Sequence, residues 1–205
     1  MAYFPMFIDL TDEDCLIVGG GHVALRKVQV LLDFGARVFV VAKEISQEIQ
    51  DLASENTNLS YSIRLFSPED LDNRRLVVVA TSDGELNSEI SSLCNERRIP
   101  VNVVDDQKKC SFIFPSYVKE KNLVGAFSSG GKSPVLTQYL KQNEKEILTP
   151  RLGEINEVLG QYRTDIIERI PQEQERKKAF EKLLDYLLHC DEIPSEKEIK
   201  EVLYG

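Results

Sequence analysis

The sequence predicts an α/β protein: a doubly wound parallel sheet followed by a small strand and helix segment and a helical C-terminal region. Three observations carry this reading. Cys15 to Lys27 (CLIVGGGHVALRK) sets a short apolar run, three glycines and a stretch with helical apolar spacing in that order. Runs rich in β-branched residues then alternate with helical stretches as far as Asp105, the pattern of right-handed βαβ crossovers. From Arg151 onward such runs vanish and the chain is charge-laced with helical periodicity.

The first element is the strand running through Cys15 into the glycine turn. Gly19, Gly21 and Ala24 fit the G-x-G-x-x-G/A spacing. In that pattern the first position permits the turn, the second lets a phosphate approach, and the third lets helix and strand pack closely. A helix over Val23–Phe34 follows, closed by Gly35. Strands are predicted at Arg37–Ala42, Tyr61–Phe66, Leu76–Thr81 and Val101–Asp105, and helices at Ile45–Ser54 and Glu85–Arg97. Two of the strands are near-continuous apolar runs, as expected where both faces of a parallel sheet are covered. Ser111–Tyr117 and Asn122–Ser129 read as two further strands. Ser133 then makes an N-cap with Pro134 in the first turn of a helix to about Leu148, and three short helical elements follow, punctuated by Pro171 and Pro194. The implied domains are a nucleotide-binding Rossmann domain at 1–110, a segment at 111–149 and a helical domain at 150–205.

Composition narrows the function classes. With 42% hydrophobic and 29% charged residues the chain reads as globular, and a net charge of −9 argues against a nucleic-acid binder. No stretch nears the ~20 apolar residues that span a bilayer. The opening MAYFPMFIDL also lacks the basic and apolar regions of a signal peptide, so a cytoplasmic location with no membrane partner is expected. Four scattered cysteines and two histidines show no metal-ligand spacing, and no metal is expected.

In doubly wound sheets ligands sit outside the carboxyl ends of the strands. The glycines, the segment after Ala42, the Thr81-Ser82-Asp83 turn and Asp105 should therefore converge. An acid usually ends the second strand to hold the adenosine ribose, yet here the strand ends Ala42-Lys43-Glu44. Glu44 can supply that acid, while Lys43 can meet a 2′-phosphate or simply be solvated, so the choice between NAD and NADP stays open. Thr81 and Ser82 can contact a cofactor or form a capped turn. Asp105, with Asn102 before it and Asp106 after it, is either a general base at the ligand edge or a turn-capping aspartate. Lys108, Lys109 and Lys132 could supply the basic patch an acidic protein needs for an acidic substrate. GGKS at Gly130–Ser133 fails the phosphate-loop spacing, because Ala126 stands where the first glycine belongs. Tyr117 and Lys121 meet the Tyr-x-x-x-Lys spacing of short-chain reductases, but in a strand-and-turn context.

PMFIDL (Pro5–Leu10), CLIVGGGHVALRK, LLDFGARVFVVA (Leu31–Ala42), VVATSD (Val78–Asp83), VNVVDD (Val101–Asp106), CSFIFPS (Cys110–Ser116) and SSGGKSPVL (Ser128–Leu136) stand in this order. Over roughly residues 3 to 150 the set resembles the precorrin-2 dehydrogenase family, which includes the dehydrogenase/ferrochelatase portion of siroheme synthases. The methyltransferase domain of the longer siroheme synthases is not expected here. The resemblance implies an NAD-dependent oxidation of precorrin-2 to sirohydrochlorin by a homodimer, with 111–149 as the dimerisation segment and the terminal helices over the active site. It places Asp105 on the catalytic aspartate, and His22, Val23, Lys43 and Glu44 on cofactor-contacting positions beside Gly19, Gly21, Thr81 and Ser82. Lys108, Lys109, Ser129 and Lys132 are the expected substrate contacts. Insertion of Fe2+ into sirohydrochlorin is the alternative second activity. A non-catalytic NAD-binding redox sensor is the alternative of another class.

Overall fold

The computed structural model describes residues 3–205. The chain divides into two compact units, one running to Phe114 and the other spanning Pro115–Gly205.

The first unit contains β1 (Asp14–Val18), α1 (His22–Asp33), β2 (Arg37–Ala42), α2 (Gln47–Glu55), β3 (Leu59–Ile63), β4 (Leu76–Val79), α3 (Gly84–Glu96) and β5 (Val101–Val103). All five strands are parallel in the order β3-β2-β1-β4-β5. The continuous apolar runs follow from burial on both faces. Cys15, Ile17, Leu76 and Val78 pack under α1 residues Ala24, Val28 and Leu31. The alternate residues Leu16, Val18, Val77 and Val79 pack under Ile90 and Cys94 of α3 and against Leu71. Each fully buried aliphatic side chain contributes roughly 1.5–3 kcal/mol, so a polar residue on either face of β1 or β4 would be costly. Burial also pushes the Cys15 thiol up to about 12 and the Cys94 thiol to about 11, which leaves both as inert core residues. All four cysteines are free.

Several element boundaries differ from expectation for local reasons. β3 begins two residues and ends three residues earlier than Tyr61–Phe66, because Val38 N–H of its partner β2 donates to Asn58 O at 2.7 Å at one end and β2 stops at Ala42, whose carbonyl accepts the last bond from Arg64 N–H at 2.9 Å, at the other. Arg64 then turns its side chain to Asp70, with bonds of 2.8 and 2.5 Å. β4 and β5 stop at Val79 and Val103, short of Thr81 and Asp105. Ser111–Pro115 is not a strand. Within it Ser111 N–H donates to Val101 O at 2.9 Å and Phe112 O accepts from Asn102 Nδ2 at 3.1 Å, so 110–114 forms a strap laid over β5. Phe112 and Phe114 turn inward against the cluster beneath α1.

The second unit contains the antiparallel pair β6 (Ser116–Glu120) and β7 (Leu123–Phe127), then α4 (Pro134–Ile147), α5 (Pro150–Arg169), α6 (Glu173–His189) and α7 (Glu196–Tyr204). Tyr117 lies in β6 and Lys121 in the hairpin turn, at φ +55°, so the reductase-like spacing falls on no helix. Ser133 caps α4 by accepting from Leu136 N–H at 3.2 Å, with Pro134 in the first turn. The helices after 150 are three, but α5 and α6 run 20 and 17 residues and are not short. Their apolar stripes meet in a core of Ile155, Val158, Ile166, Leu183, Leu187, Ile199 and Leu203. Gly153 lets α5 approach the hairpin, since a Cβ there would lie 2.9 Å from Glu120 O. Arg151 Nη2 donates to Cys190 O at 3.0 Å and ties the start of α5 to the end of α6.

Candidate active site at the carboxyl edge of the sheet

The order β3-β2-β1-β4-β5 reverses direction between β1 and β4, and a crevice forms outside the carboxyl ends of the strands at such a switch point. Backbone contacts show that the loops there meet. Gly19 adopts φ +124°, and a Cβ on it would lie 2.4 Å from Ala80 O, which joins the β1 and β4 loops. Gly20 is tighter still: a Cβ would lie 2.1 Å from Glu44 O, while Gly20 O accepts from Ser46 N–H at 2.8 Å. Val104 N–H donates to Val79 O at 2.9 Å, bringing the end of β5 alongside the end of β4. Gly19, Gly21, Lys43, Glu44, Thr81, Ser82 and Asp105 are therefore carried by loops of one edge, with His22 and Val23 in the first turn of α1 beside them.

That edge suits a dinucleotide phosphate. Gly21 is the N-cap of α1, has no side chain to cap the helix, and a Cβ built on it would meet nothing within 4 Å. No acid stands in the first turn of α1. By contrast, Asp83 caps α3 by accepting from Glu85 and Leu86 N–H, both at 3.1 Å. The first N–H groups of α1 thus face open space with the positive end of the helix dipole behind them, an arrangement fitted to an anion. His22, Val23, Lys43 and Glu44 are exposed around it. The Thr81 hydroxyl is already engaged, donating to Asn87 Oδ1 at 2.5 Å and accepting from Asp83 N–H at 3.1 Å, which leaves the exposed Ser82 freer to meet a ligand.

Asp105 sits at φ +61°, in the left-handed region that aspartate tolerates better than most residues. Its neighbours hold the turn. The Cys110 thiol accepts from Val103 N–H at 3.2 Å and donates toward Val103 O at 3.2 Å and Asp106 O at 3.3 Å. Ser91 Oγ donates to Lys109 O at 2.8 Å, anchoring the short 3-10 turn at Gln107–Lys109 to α3. Lys109 Nζ lies 2.9 Å from Asp106 Oδ2 and holds that carboxyl below the usual carboxylate range. Among the described residues, Asp105 has no hydrogen bond or ion pair; its carboxylate is exposed at the edge. A carboxylate fixed in backbone but unpaired in side chain is available to take a proton from a ligand. Lys108 is exposed beside it. Ser129 and Lys132 belong to the second unit, in the turn before α4, where Ser129 Oγ accepts from Ser133 N–H at 2.9 Å.

Two residues of this edge escape sequence reasoning. Gly20, an unspecified position of the glycine pattern, makes the closest backbone approach. Lys27 of α1 is half-buried, with Nζ 3.9 Å from the centroid of the Phe114 ring. Burial pushes its ammonium below the ordinary lysine value, and the negative charge of Asp105 acts in the opposite direction. A signal for Lys27 was present, since a lysine three residues after Ala24 and four before Leu31 stands on the apolar stripe of its helix.

A family model described as "Putative NAD(P)-binding" matches residues 6–116, which cover the whole parallel sheet and the strap. The chain belongs to this NAD(P)-binding family. Its curated relatives include siroheme synthase of Zymomonas mobilis, 43% identical over 187 residues, covering 91% of this chain and 40% of the relative. Siroheme synthase of Nitrosomonas europaea is 34% identical over 184 residues, covering 90% and 39%. The chain thus spans about two fifths of the length of these relatives. Among solved structures, that of SirC, precorrin-2 dehydrogenase, superposes with a TM-score of 0.69 at 24% identity, over 98% of this chain and 97% of the other. The shared fold therefore includes the C-terminal helices as well as the NAD(P)-binding sheet. Among the described residues there is no group of three or more His, Cys, Asp or Glu side chains able to hold a metal. No helix of the described residues is long and apolar enough to cross a membrane.

Proposed function

We propose that this chain uses NAD to oxidise precorrin-2 to sirohydrochlorin, with Asp105 as the base. The observation that carries the reading is the unpaired Asp105 carboxylate on the edge where the bare N-terminus of α1 can receive a pyrophosphate. The siroheme synthase relatives and the fold shared with SirC support the tetrapyrrole as substrate. Oxidation of the macrocycle removes a hydride and a proton from neighbouring atoms. A nicotinamide held at this edge supplies the hydride acceptor. Asp105 takes the proton at a carboxylate oxygen and, being exposed, returns it to solvent. The N–H groups at the start of α1 hold the phosphates, and Gly21 leaves room for them. Glu44, exposed just after β2, accepts from the adenosine ribose hydroxyls in this reading, which favours NAD over NADP.

The protein is further proposed to act as a cytoplasmic homodimer. Val135, Leu136, Tyr139 and Ile147 leave 80%, 51%, 64% and 65% of their surface exposed along α4 of the second unit, an apolar face that a second copy would cover. Sedimentation at micromolar concentration should give a dimer, and a monomer would remove this part.

The activity is tested anaerobically with precorrin-2 and NAD+, following the absorbance of sirohydrochlorin. Turnover that requires NAD+ and falls by a factor on the order of 100 or more in Asp105→Asn is expected. NAD binding without turnover would overturn the reading in favour of a non-catalytic NAD-binding module.

A further inference from the structure

Lys27 has no place in the reaction as described so far, yet its setting costs free energy. Its stem lies on the face of α1 that carries the fully buried Ala24, Val28 and Leu31, and its ammonium rests on the Phe114 ring. An ammonium partly stripped of water normally recovers that loss from a carboxylate partner. Among the described residues Lys27 makes no ion pair or hydrogen bond at its Nζ: Asp105 attracts it only at longer range, and the aromatic face satisfies only one side of a group with three donors. The other cations of this edge are differently placed, Lys109 paired with Asp106 and Lys108 exposed to solvent. Phe114 is itself held by the strap over β5, so the ammonium has a fixed support.

We propose that Lys27 anchors a carboxylate arm of the tetrapyrrole and thereby seats the macrocycle beside Asp105. The inference rests on the dehydrogenase reading above. Precorrin-2 carries eight carboxylates, and Asp105 adds a further negative charge to the edge they must approach. A cation within electrostatic reach of Asp105 makes both admissible, and an anchored arm sets the distance from the reacting carbon to the base. Because the Lys27 stem packs on the core, the anchor moves little, unlike a surface lysine on a free stem.

The test uses the full-length chain and sirohydrochlorin as the probe, titrated by its absorbance in the presence of NAD+, alongside steady-state turnover of precorrin-2. Lys27→Met keeps the length and packing of the stem. It is expected to weaken sirohydrochlorin binding and raise the precorrin-2 KM by about tenfold or more, the loss typical of one charge-assisted contact, with NAD+ affinity unchanged. Lys27→Arg should stay within about threefold of the parent, because it restores a cation on the same face. Lys177→Met, an exposed lysine of α6, makes the same change in net charge and should leave binding unaltered. Should Lys27→Met melt early, Lys27→Gln provides the same comparison. Wild-type binding of sirohydrochlorin by Lys27→Met, or an equal loss in Lys177→Met, overturns the proposal. A parent protein that binds sirohydrochlorin but does not oxidise precorrin-2 defeats the dehydrogenase reading and leaves the Lys27 comparison intact. A parent that binds no tetrapyrrole overturns both.

Discussion

Gly20→Ala and Gly21→Ala differ by one position and should fail in opposite ways. At Gly20 the new Cβ would lie 2.1 Å from Glu44 O and 2.8 Å from Ile45 Cα, both backbone atoms that cannot rotate away. Relief requires the β1 and β2 loops to separate by more than an ångström, which also breaks the 2.8 Å bond from Ser46 N–H to Gly20 O. Overpacking costs about 1–3 kcal/mol and the lost bond about 1–2 more, so a loss of about 4 kcal/mol is expected. For a chain of this size that corresponds to a fall in Tm on the order of 10 °C. At Gly21 the Cβ meets nothing within 4 Å and the backbone is in the extended region, so the stability change should stay under about 1 kcal/mol. The same methyl takes up part of the open space at the start of α1, and NAD+ affinity should fall about tenfold, or ~1.4 kcal/mol. Thermal melts followed by circular dichroism and NAD+ titrations on both variants make the comparison. A Gly20→Ala protein that melts with the parent, or a Gly21→Ala protein that binds NAD+ like the parent, would refute the division of labour drawn from the loop geometry.

Three further outcomes follow from the packing. Asp70 is buried and held by the Arg64 guanidinium well below the usual carboxylate range, so its contribution is full above the unfolded carboxylate value and lost as pH falls through the depressed one. Asp70→Asn should therefore cost about 2 kcal/mol at pH 7 in urea unfolding and progressively less as the pH is taken down through that depressed value, and a cost that does not change with pH would contradict the ion pair as its source. Tyr204, whose hydroxyl donates to Asp165 at 2.7 Å, is raised by burial and that bond to about 12; its stabilisation is present below the ordinary tyrosine value and is lost as pH rises toward 12. Tyr204→Phe should remove that alkaline loss and speed amide exchange in α7 at neutral pH, whereas unchanged exchange would show that α7 is held by Ile199 and Leu203 alone. Leu183 is fully buried in the core of the second unit, and Leu183→Ala should cost about 3 kcal/mol; a cost under about 1 would mean that this core is loosely packed.

Much of the first unit was legible because its signals are local. A helix closed by Gly35 and a glycine turn report on bonds made within a few residues, apolar runs of four to six residues report on burial of both strand faces, and their alternation leaves little choice of topology. Asp105 was legible as a candidate through its place after an apolar strand and through the resemblance of its surroundings. Strand ends were not. Whether β3 ends at Ile63 or Phe66 depends on where β2 ends and on the Arg64 bond to Asp70, neither of which a β-branched run encodes. The strap SFIFP has the composition of a strand, but its inward phenylalanines and its bonds to Val101 and Asn102 hold it across β5.

The same division holds for the site. By itself the sequence determined that a parallel sheet would present a glycine turn, an acid and a set of lysines along one edge, because strand order and loop position follow from short-range patterning. Only the tertiary structure decided which of those groups are free. It left α1 uncapped, paired Lys109 with Asp106, engaged the Thr81 hydroxyl with Asn87, left Asp105 unpaired, and carried Lys27 onto Phe114. Pairing depends on distances of a few ångströms between residues far apart in the chain, such as Lys27 and Phe114, and those distances arise only when the helices close over the sheet.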